Sequence, residues 1–186
     1  MLPTAWIVIL LLCWIAWAYP FAFRAPHYQK RPSITRTAPT LIGLLLECAA
    51  ILIAFTSRIT AAGGPGAARI AGSLLLGIAA PLLSWSAVRH LGRQFRVSAG
   101  LYEDHQLVRS GAYAVVRHPI YSSLFAILGS TLLLLTRWDW AALSVALFVA
   151  GTEIRVHTED GLLRSRFGDE FDRYRRSVKA YIPFVR

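Results

Sequence analysis

The sequence predicts an all-α protein, an integral membrane bundle of about five transmembrane helices. Three observations carry that prediction. Of its 186 residues, 55% are hydrophobic and only 16% are charged, a balance far from that of soluble domains. Five apolar runs approach the ~20 residues that a helix needs to cross a hydrocarbon core. The basic residues fall between those runs in a strongly one-sided way.

The first run covers residues 3–23. No basic residue precedes it and no small-residue cleavage pattern follows, so it reads as an anchor with its N-terminus outside. The second, 40–56, holds a lone carboxylate in "LIGLLLECAAILIAF". At membrane depth Glu47 is either a functional group or a protonated or hydrogen-bonded one facing another helix. The third, 70–88, contains Pro81 and is expected to kink there. The fourth is 120–136. The fifth, from 138 to about 154, is the shortest and needs support at its ends. None carries a clear small-residue dimer stripe, which leaves the oligomeric state open.

Of the 20 Lys and Arg residues, only Arg58, Arg69 and Arg137 lie in the links after runs two and four. All the others follow runs one, three and five. The positive-inside rule then puts the C-terminus in the cytoplasm, with any active surface. A net charge of +10 is compatible with nucleic-acid binding, but basic residues spaced between apolar runs point to the bilayer as partner, and no nucleic acid is expected. Cys13 and Cys48 lie inside apolar runs and read as small hydrophobes rather than a metal or disulfide pair. No metal is expected. Arginine far outnumbers lysine, which fits a bacterial inner membrane.

The outer links are short: "SRITAAGGPGAAR" is a Gly/Pro turn region, and "TRWDW" a tight hairpin with interfacial tryptophans. The inner links are long and polar. Chemistry is therefore expected on loop 89–118 and tail 155–186. This divides the chain into three N-terminal membrane helices, 1–88, and a region of interest, 89–186.

Within that region, "HQLVRSGAYAVVRHPIY" covers 105–121. Pro119 suits the first turn of a helix, where its missing N–H costs nothing. His118 then sits at the N-cap or beside it, and the helix end favours an anion. The stretch also reads as a plain start of a membrane helix, with Arg117 on lipid phosphates and Tyr121 at the interface. The tail "TEIRVHTEDGLLRSRFGDEFDRYRRSVKAYIPF", 152–184, continues the fifth run as a helix. Glu153, Arg155, His157, Glu159 and Asp160 crowd two turns, and Arg155 and Glu159 share a face. They make either ordinary solvated ion pairs or a charged face at the mouth of the bundle. Gly168 is expected to end the helix. "DEFDRYRRSVKAY" then reads as a short basic, aromatic helix suited to the membrane surface.

Loop and tail together resemble the isoprenylcysteine carboxyl methyltransferase family of integral membrane enzymes. The resemblance covers roughly residues 90–184. It rests on His105, Leu107 and Val108; Gly111 and Tyr113; Arg117, His118, Pro119 and Tyr121; Glu159 and Asp160; Phe167 and Gly168; Tyr174; and Ile182 with Pro183. Each piece is weak, whereas their order and spacing are specific. The resemblance implies a cytoplasmic pocket for S-adenosylmethionine. By it, the cofactor contacts map to His105, Gln106, Leu107, Val108, Tyr113, His118, Pro119, Ile120, Tyr121 and Glu159. Arg155 and Glu159 become the catalytic pair, with Arg155 facing the methyl acceptor. That acceptor would be lipid-associated, a carboxylate of isoprenylcysteine type. Three positions depart from the family's pattern: Asp160 for a second Glu, Ser123 for a Gly, and Phe171 for a Tyr. They leave the acceptor open, since similar proteins methylate phospholipid amines or small thiols. Those acceptors shed a proton, for which His157 and Glu153 are candidates. Two readings of other classes also stand: an NADPH-dependent membrane reductase, because sterol reductases share an arginine-histidine motif, and a non-catalytic membrane scaffold.

Overall fold

A computed structural model of the chain describes residues 4–24, 34–35, 37–59, 64–95, 99–101 and 104–185. Of the cations used above, Lys30, Arg31, Arg36, Arg96 and Arg186 lie outside the described residues, as do part of the first Gly/Pro link and Pro3.

Six α-helices account for most of the described chain: α1 Thr4–Tyr19, α2 Thr37–Thr56, α3 Ala67–Leu91, α4 Pro119–Leu135, α5 Trp138–Phe167 and α6 Asp169–Ser177. A π-turn, Pro20–Arg24, prolongs α1. Three segments are long and apolar enough to cross a membrane, Thr4–Phe23, Ala38–Thr56 and Ala67–Leu91. The apolar α4 is shorter, at 17 residues. Pro81 sits inside α3 without ending it. The fifth apolar run passes without a break into the charged tail, so α5 is one helix of 30 residues, about 45 Å at 1.5 Å per residue. It ends where expected, at Gly168, whose φ of +49° is the left-handed stop that glycine adopts readily.

The all-helical expectation needs one small correction. β1 Ile34–Thr35 pairs antiparallel with β2 Gly100–Leu101, Ile34 opposite Leu101 and Thr35 opposite Gly100. Two residues are too few to leave a period-two signal in a sequence.

In lipid, helices associate through small residues and interhelical hydrogen bonds rather than apolar burial. Both devices are present. On α2, Gly43, Glu47, Ala50 and Ala54 are buried at helical spacing and face α5. There Ser144 donates to the Ala50 carbonyl at 2.8 Å. A Cβ on Gly151 would come within 2.5 Å of the Gly43 carbonyl oxygen. These small residues thus join two helices of one chain. Between α3 and α4, Ser73 and Ser130 exchange hydroxyl-to-carbonyl bonds at 2.8–2.9 Å. α1 docks on α4 through indole donors, Trp14 to Thr131 and Trp17 to Ser123, both at 3.0 Å. Ser123, one of the departures noted above, is therefore the acceptor that seats Trp17. The opposite faces expose Leu12, Ile15, Leu45, Leu52, Leu75 and Leu82, as a lipid-facing surface does.

Arg69, at the start of α3, closes the C-terminus of α4. Its guanidinium donates to the carbonyls of Leu132, Leu133 and Thr136 at 2.5–2.9 Å and lies 4.4 Å over the Trp138 ring. Carbonyls that a helix end leaves unpaired are satisfied there, which lets the short α4 stop cleanly. At the other end of α4 the chain tail folds back. Arg117 and His118 N–H groups donate to the Lys179 and Ala180 carbonyls, both at 2.8 Å. α6 is basic outside, with Arg173, Arg175 and Arg176 exposed, but its aromatic residues point inward. Phe171 is fully buried and the Tyr174 hydroxyl donates to the Tyr113 carbonyl at 2.5 Å. The aromatic face expected on a membrane surface is instead the clamp between tail and loop. A tyrosine at 171 would bring a hydroxyl in need of a partner.

Candidate active site

The loop and the tail converge on one cavity of about 870 Å³, counting its open mouth. Its first wall is the extended segment holding His105, Gln106, Leu107 and Val108. Gly111 then turns the chain with φ +60°. A side chain there would run into the His90 ring at the end of α3, so backbone and space both favour glycine at 111. The turn carries Tyr113 into the cavity wall, buried. Burial pushes its phenol pKa up, and the nearby Glu159 charge adds to that.

The second wall comes from the start of α4. His118 is the N-cap and Pro119 the first helical residue, as the sequence predicts. Ile120 and Tyr121 line the cavity with His118. Pro119, expected among the cofactor contacts, is buried but does not line it, because its ring sets the helix start. The backbone bonds from Arg117 and His118 to the tail also narrow the expected anion seat at this helix end.

The third wall is α5, with Arg155, Glu159, Leu162 and Leu163 lining the cavity at helical spacing. Polar side chains of α4 and α5 form one network. Both ring nitrogens of His118 face carboxylates, Nε2 to Asp160 at 2.8 Å and Nδ1 to Glu159 at 3.2 Å. The second Glu159 oxygen accepts the Tyr121 hydroxyl at 2.5 Å. Asp160 also receives the Arg117 guanidinium at 2.9 Å, and Arg117 donates onward to the Val178 carbonyl at 2.5 Å. Arg117, offered above as a lipid-phosphate contact, is thus buried on Asp160. The Asp160 departure keeps the carboxylate that this bridge needs.

The electrostatics follow from those contacts. Burial of His118, 6% exposed, opposes its charged form. The hydrogen bonds and charges of Asp160 and Glu159 outweigh burial and lift its pKa to about 9. At neutral pH it is an imidazolium donating from both nitrogens. Burial would raise both carboxyls, but the bonds and charge of His118 hold Glu159 and Asp160 below the usual range. Glu159 keeps 28% of its side chain exposed, so an oriented anion faces the cavity.

Arg155 lies 4.8 Å over the Tyr121 ring and pairs with Glu47 of α2 at 2.5 Å. Glu47 is therefore hydrogen-bonded to α5 inside the bundle, by Arg155 and by Thr152. His157 is exposed and does not line the cavity. Glu153 accepts the Tyr181 hydroxyl at 2.7 Å and lies outside it too. Sequence reasoning missed Leu91, Gln94 and the Ala99–Leu101 stretch, which also line the cavity. Leu162 and Leu163 were legible as the next turn after Glu159, whereas Gln94 and 99–101 give no local signal.

With this geometry in view, comparison with known proteins is decisive at the family level. The model of the isoprenylcysteine carboxyl methyltransferase (ICMT) family matches residues 73–165, half of the chain. The chain belongs to this family. The ICMT match runs from Ser73 in α3 through the loop and α4 to Ser165 in α5, and takes in neither Glu47 nor Tyr174. The chain is 36% identical over 103 residues to the protein-S-isoprenylcysteine O-methyltransferase of Schizosaccharomyces pombe, covering 54% of this chain and 43% of that protein. It is 33% identical over 102 residues to a probable protein-S-isoprenylcysteine O-methyltransferase of Oryza sativa subsp. japonica, 53% of each. It is 30% identical over 107 residues to protein-S-isoprenylcysteine O-methyltransferase B of Arabidopsis thaliana, 56% and 54%. The chain spans about half the length of the curated relatives it matches. These relatives are eukaryotic, so the bacterial inner membrane expected above rests on arginine usage alone.

Proposed function

We propose that this chain is a membrane-embedded methyltransferase that uses S-adenosylmethionine and acts on a lipid-associated carboxylate of isoprenylcysteine type. The observation that carries the proposal is the convergence of the motif residues. His105, Gln106, Leu107, Val108, Tyr113, His118, Ile120, Tyr121, Arg155 and Glu159 come from three separate segments and line one cavity.

The cavity's chemistry fits S-adenosylmethionine. Leu91, Leu101, Leu107, Val108 and Leu162 offer apolar surface for a base, and the Glu159 carboxylate suits ribose hydroxyls or a cationic centre. When bound, the cofactor supplies an activated methyl group. The chain's own residues then have separable tasks. His118 and Tyr121 orient Glu159, which anchors the cofactor. The planar fork of Arg155 grips an acceptor carboxylate. The apolar wall excludes water, and catalysis is positioning in a dry site.

The site also favours a carboxylate over an amine or thiol. A carboxylate is ionised at neutral pH and needs no base. An amine or thiol must shed a proton, and the cavity provides a poor acceptor for it. Glu159 is held below the usual carboxylate range, and His118 is already protonated at neutral pH. Both proton acceptors suggested from the sequence, His157 and Glu153, lie outside the cavity.

The cavity residues fall between Leu91 and Tyr174, in support of a catalytic region over 89–186 packed on the helices of 1–88. With α4 and the apolar half of α5 added to the three long helices, the chain crosses the membrane five times, N-terminus outside and cavity on the cytoplasmic side. The one-sided cations support this. Cysteine labelling of intact cells, with Cys substituted at Ser57 or Lys179, tests it: labelling of 179 but not 57 by an impermeant reagent would reverse the topology.

The first experiment is calorimetric titration of the detergent-purified protein with S-adenosylhomocysteine, with NADPH in parallel. Saturable binding of S-adenosylhomocysteine alone is expected. NADPH binding alone would support a reductase, and silence from both in a folded sample a scaffold.

A further inference from the structure

We propose that Glu47 is a positioning residue, which holds the Arg155 guanidinium at the cavity wall. The assignment rests on the reading above, in which Arg155 meets the acceptor. Glu47 lies outside the residues matched by the family model, on a helix that contributes no lining residue to the cavity.

Four observations carry it. Glu47 is 1% exposed, and both its oxygens are taken by α5, Oε1 accepting from Thr152 at 3.0 Å and Oε2 from Arg155 at 2.5 Å. The Arg155 guanidinium is gripped a second time by the Tyr121 ring, 4.8 Å away. Two groups of different chemistry, a carboxyl group and an aromatic face, thus hold a fork that lines the cavity. The α2 backbone is shaped to admit the Arg155 stem, since a Cβ on Gly43 would fall 2.5 Å from Arg155 Cγ. Lastly, a buried ion pair is weak support for stability, because desolvation offsets its attraction. Stability alone therefore gives α2 little reason to carry a carboxylate at membrane depth, where such groups are rare and functional.

The physical consequence is preorganisation. A free arginine side chain loses rotamer entropy when it binds an acceptor. Here Glu47 removes that freedom in advance, while the cavity awaits its acceptor. Arg155 itself contacts the acceptor, whereas Glu47 acts only through it.

The test compares wild type, Glu47→Gln, Glu47→Asp, Arg155→Gln and the double variant Glu47→Gln/Arg155→Gln. Three quantities are read: thermal stability, the Kd of S-adenosylhomocysteine, and methyl transfer to a farnesylated cysteine with a free carboxylate. Positioning predicts that Glu47→Gln lowers kcat/KM about tenfold or more with the Kd changed less than about twofold. Glu47→Asp keeps the carboxyl group and withdraws it by one methylene, so it too should lose turnover, and it serves if Glu47→Gln does not fold. In the Arg155→Gln background the added Glu47→Gln change should move turnover less than about twofold. Equal losses in both backgrounds, a Kd that weakens in step with turnover, or wild-type turnover in folded Glu47→Gln would each overturn the assignment. Failure of the wild type to bind S-adenosylhomocysteine would instead remove the methyltransferase reading, and this assignment with it.

Discussion

At the scale of single residues, the proposed function gives one carboxylate two jobs that pull against each other. Glu159 must stay ionised while buried, yet remain open to a ligand. His118 and Tyr121 resolve the conflict by donating to its two oxygens, which keeps the anion without closing it off. Removing the carboxylate takes from the bound ligand its charged acceptor, and a charge-assisted hydrogen bond is worth ~1.5–3 kcal/mol. Glu159→Ala is therefore expected to weaken S-adenosylhomocysteine binding about tenfold or more, with the protein still folded. Unchanged affinity in calorimetry would take Glu159 out of the binding site. Arg155→Ala is expected to behave differently, with methyl transfer falling far more than cofactor affinity. Parallel losses in both measurements would end the acceptor role of Arg155.

At the scale of elements, the crossing of α2 and α5 is the joint on which the site depends. Gly43 and Gly151 let the two backbones meet, and the Glu47–Arg155 pair sits one turn further on. Gly151→Ala places a methyl within 2.5 Å of the Gly43 carbonyl and must push the helices apart. Overpacking of this kind costs about 1–3 kcal/mol. We expect a lower unfolding temperature and a loss of transfer larger than that from the same change at Gly161, which has nothing within 4 Å of its would-be Cβ. Equal behaviour of the two variants would show that the crossing tolerates separation. The resemblance was read from the loop and tail, but those motifs do not reveal this joint. Glycines 108 positions apart only become neighbours once the bundle forms.

At the scale of the whole molecule, the network from Arg117 through Asp160 and His118 to Glu159 fastens α4, α5 and the tail together, so stability should follow its charges. The folded-state pKa of His118 is raised from 6.5 to about 9. Its contribution is complete below pH 6.5 and is lost as pH rises through about 9. Glu159 and Asp160 are lowered, so their contribution is present above their usual values of 4.5 and 3.8 and fades as pH falls below them. The unfolding temperature should thus be highest at mildly acidic pH and drop towards pH 10. His118→Gln should flatten the alkaline limb, and an unchanged limb in that variant would assign the drop to other groups.

Composition, apolar run length and the placement of arginines were enough to establish a helical membrane protein. Short-range chemistry was equally legible: the Pro119 helix start, the Gly168 stop, and the i, i+4 face of Arg155 and Glu159 all appear as expected, because each depends only on neighbours in the chain. The order of the motifs sufficed to point to the family and to most of the cavity wall. What tertiary structure added at Glu47 is its partners, which match the hydrogen-bonded, helix-facing reading; the role in the site is our proposal. Nothing local in the second apolar run shows that α5 brings Arg155 to it. The same holds for Arg117, which looks like a lipid contact in isolation and is a buried bridge in the fold. A side chain's charge is written locally, but its partner lies across the bundle, and in a low-dielectric interior the partner determines what that charge does.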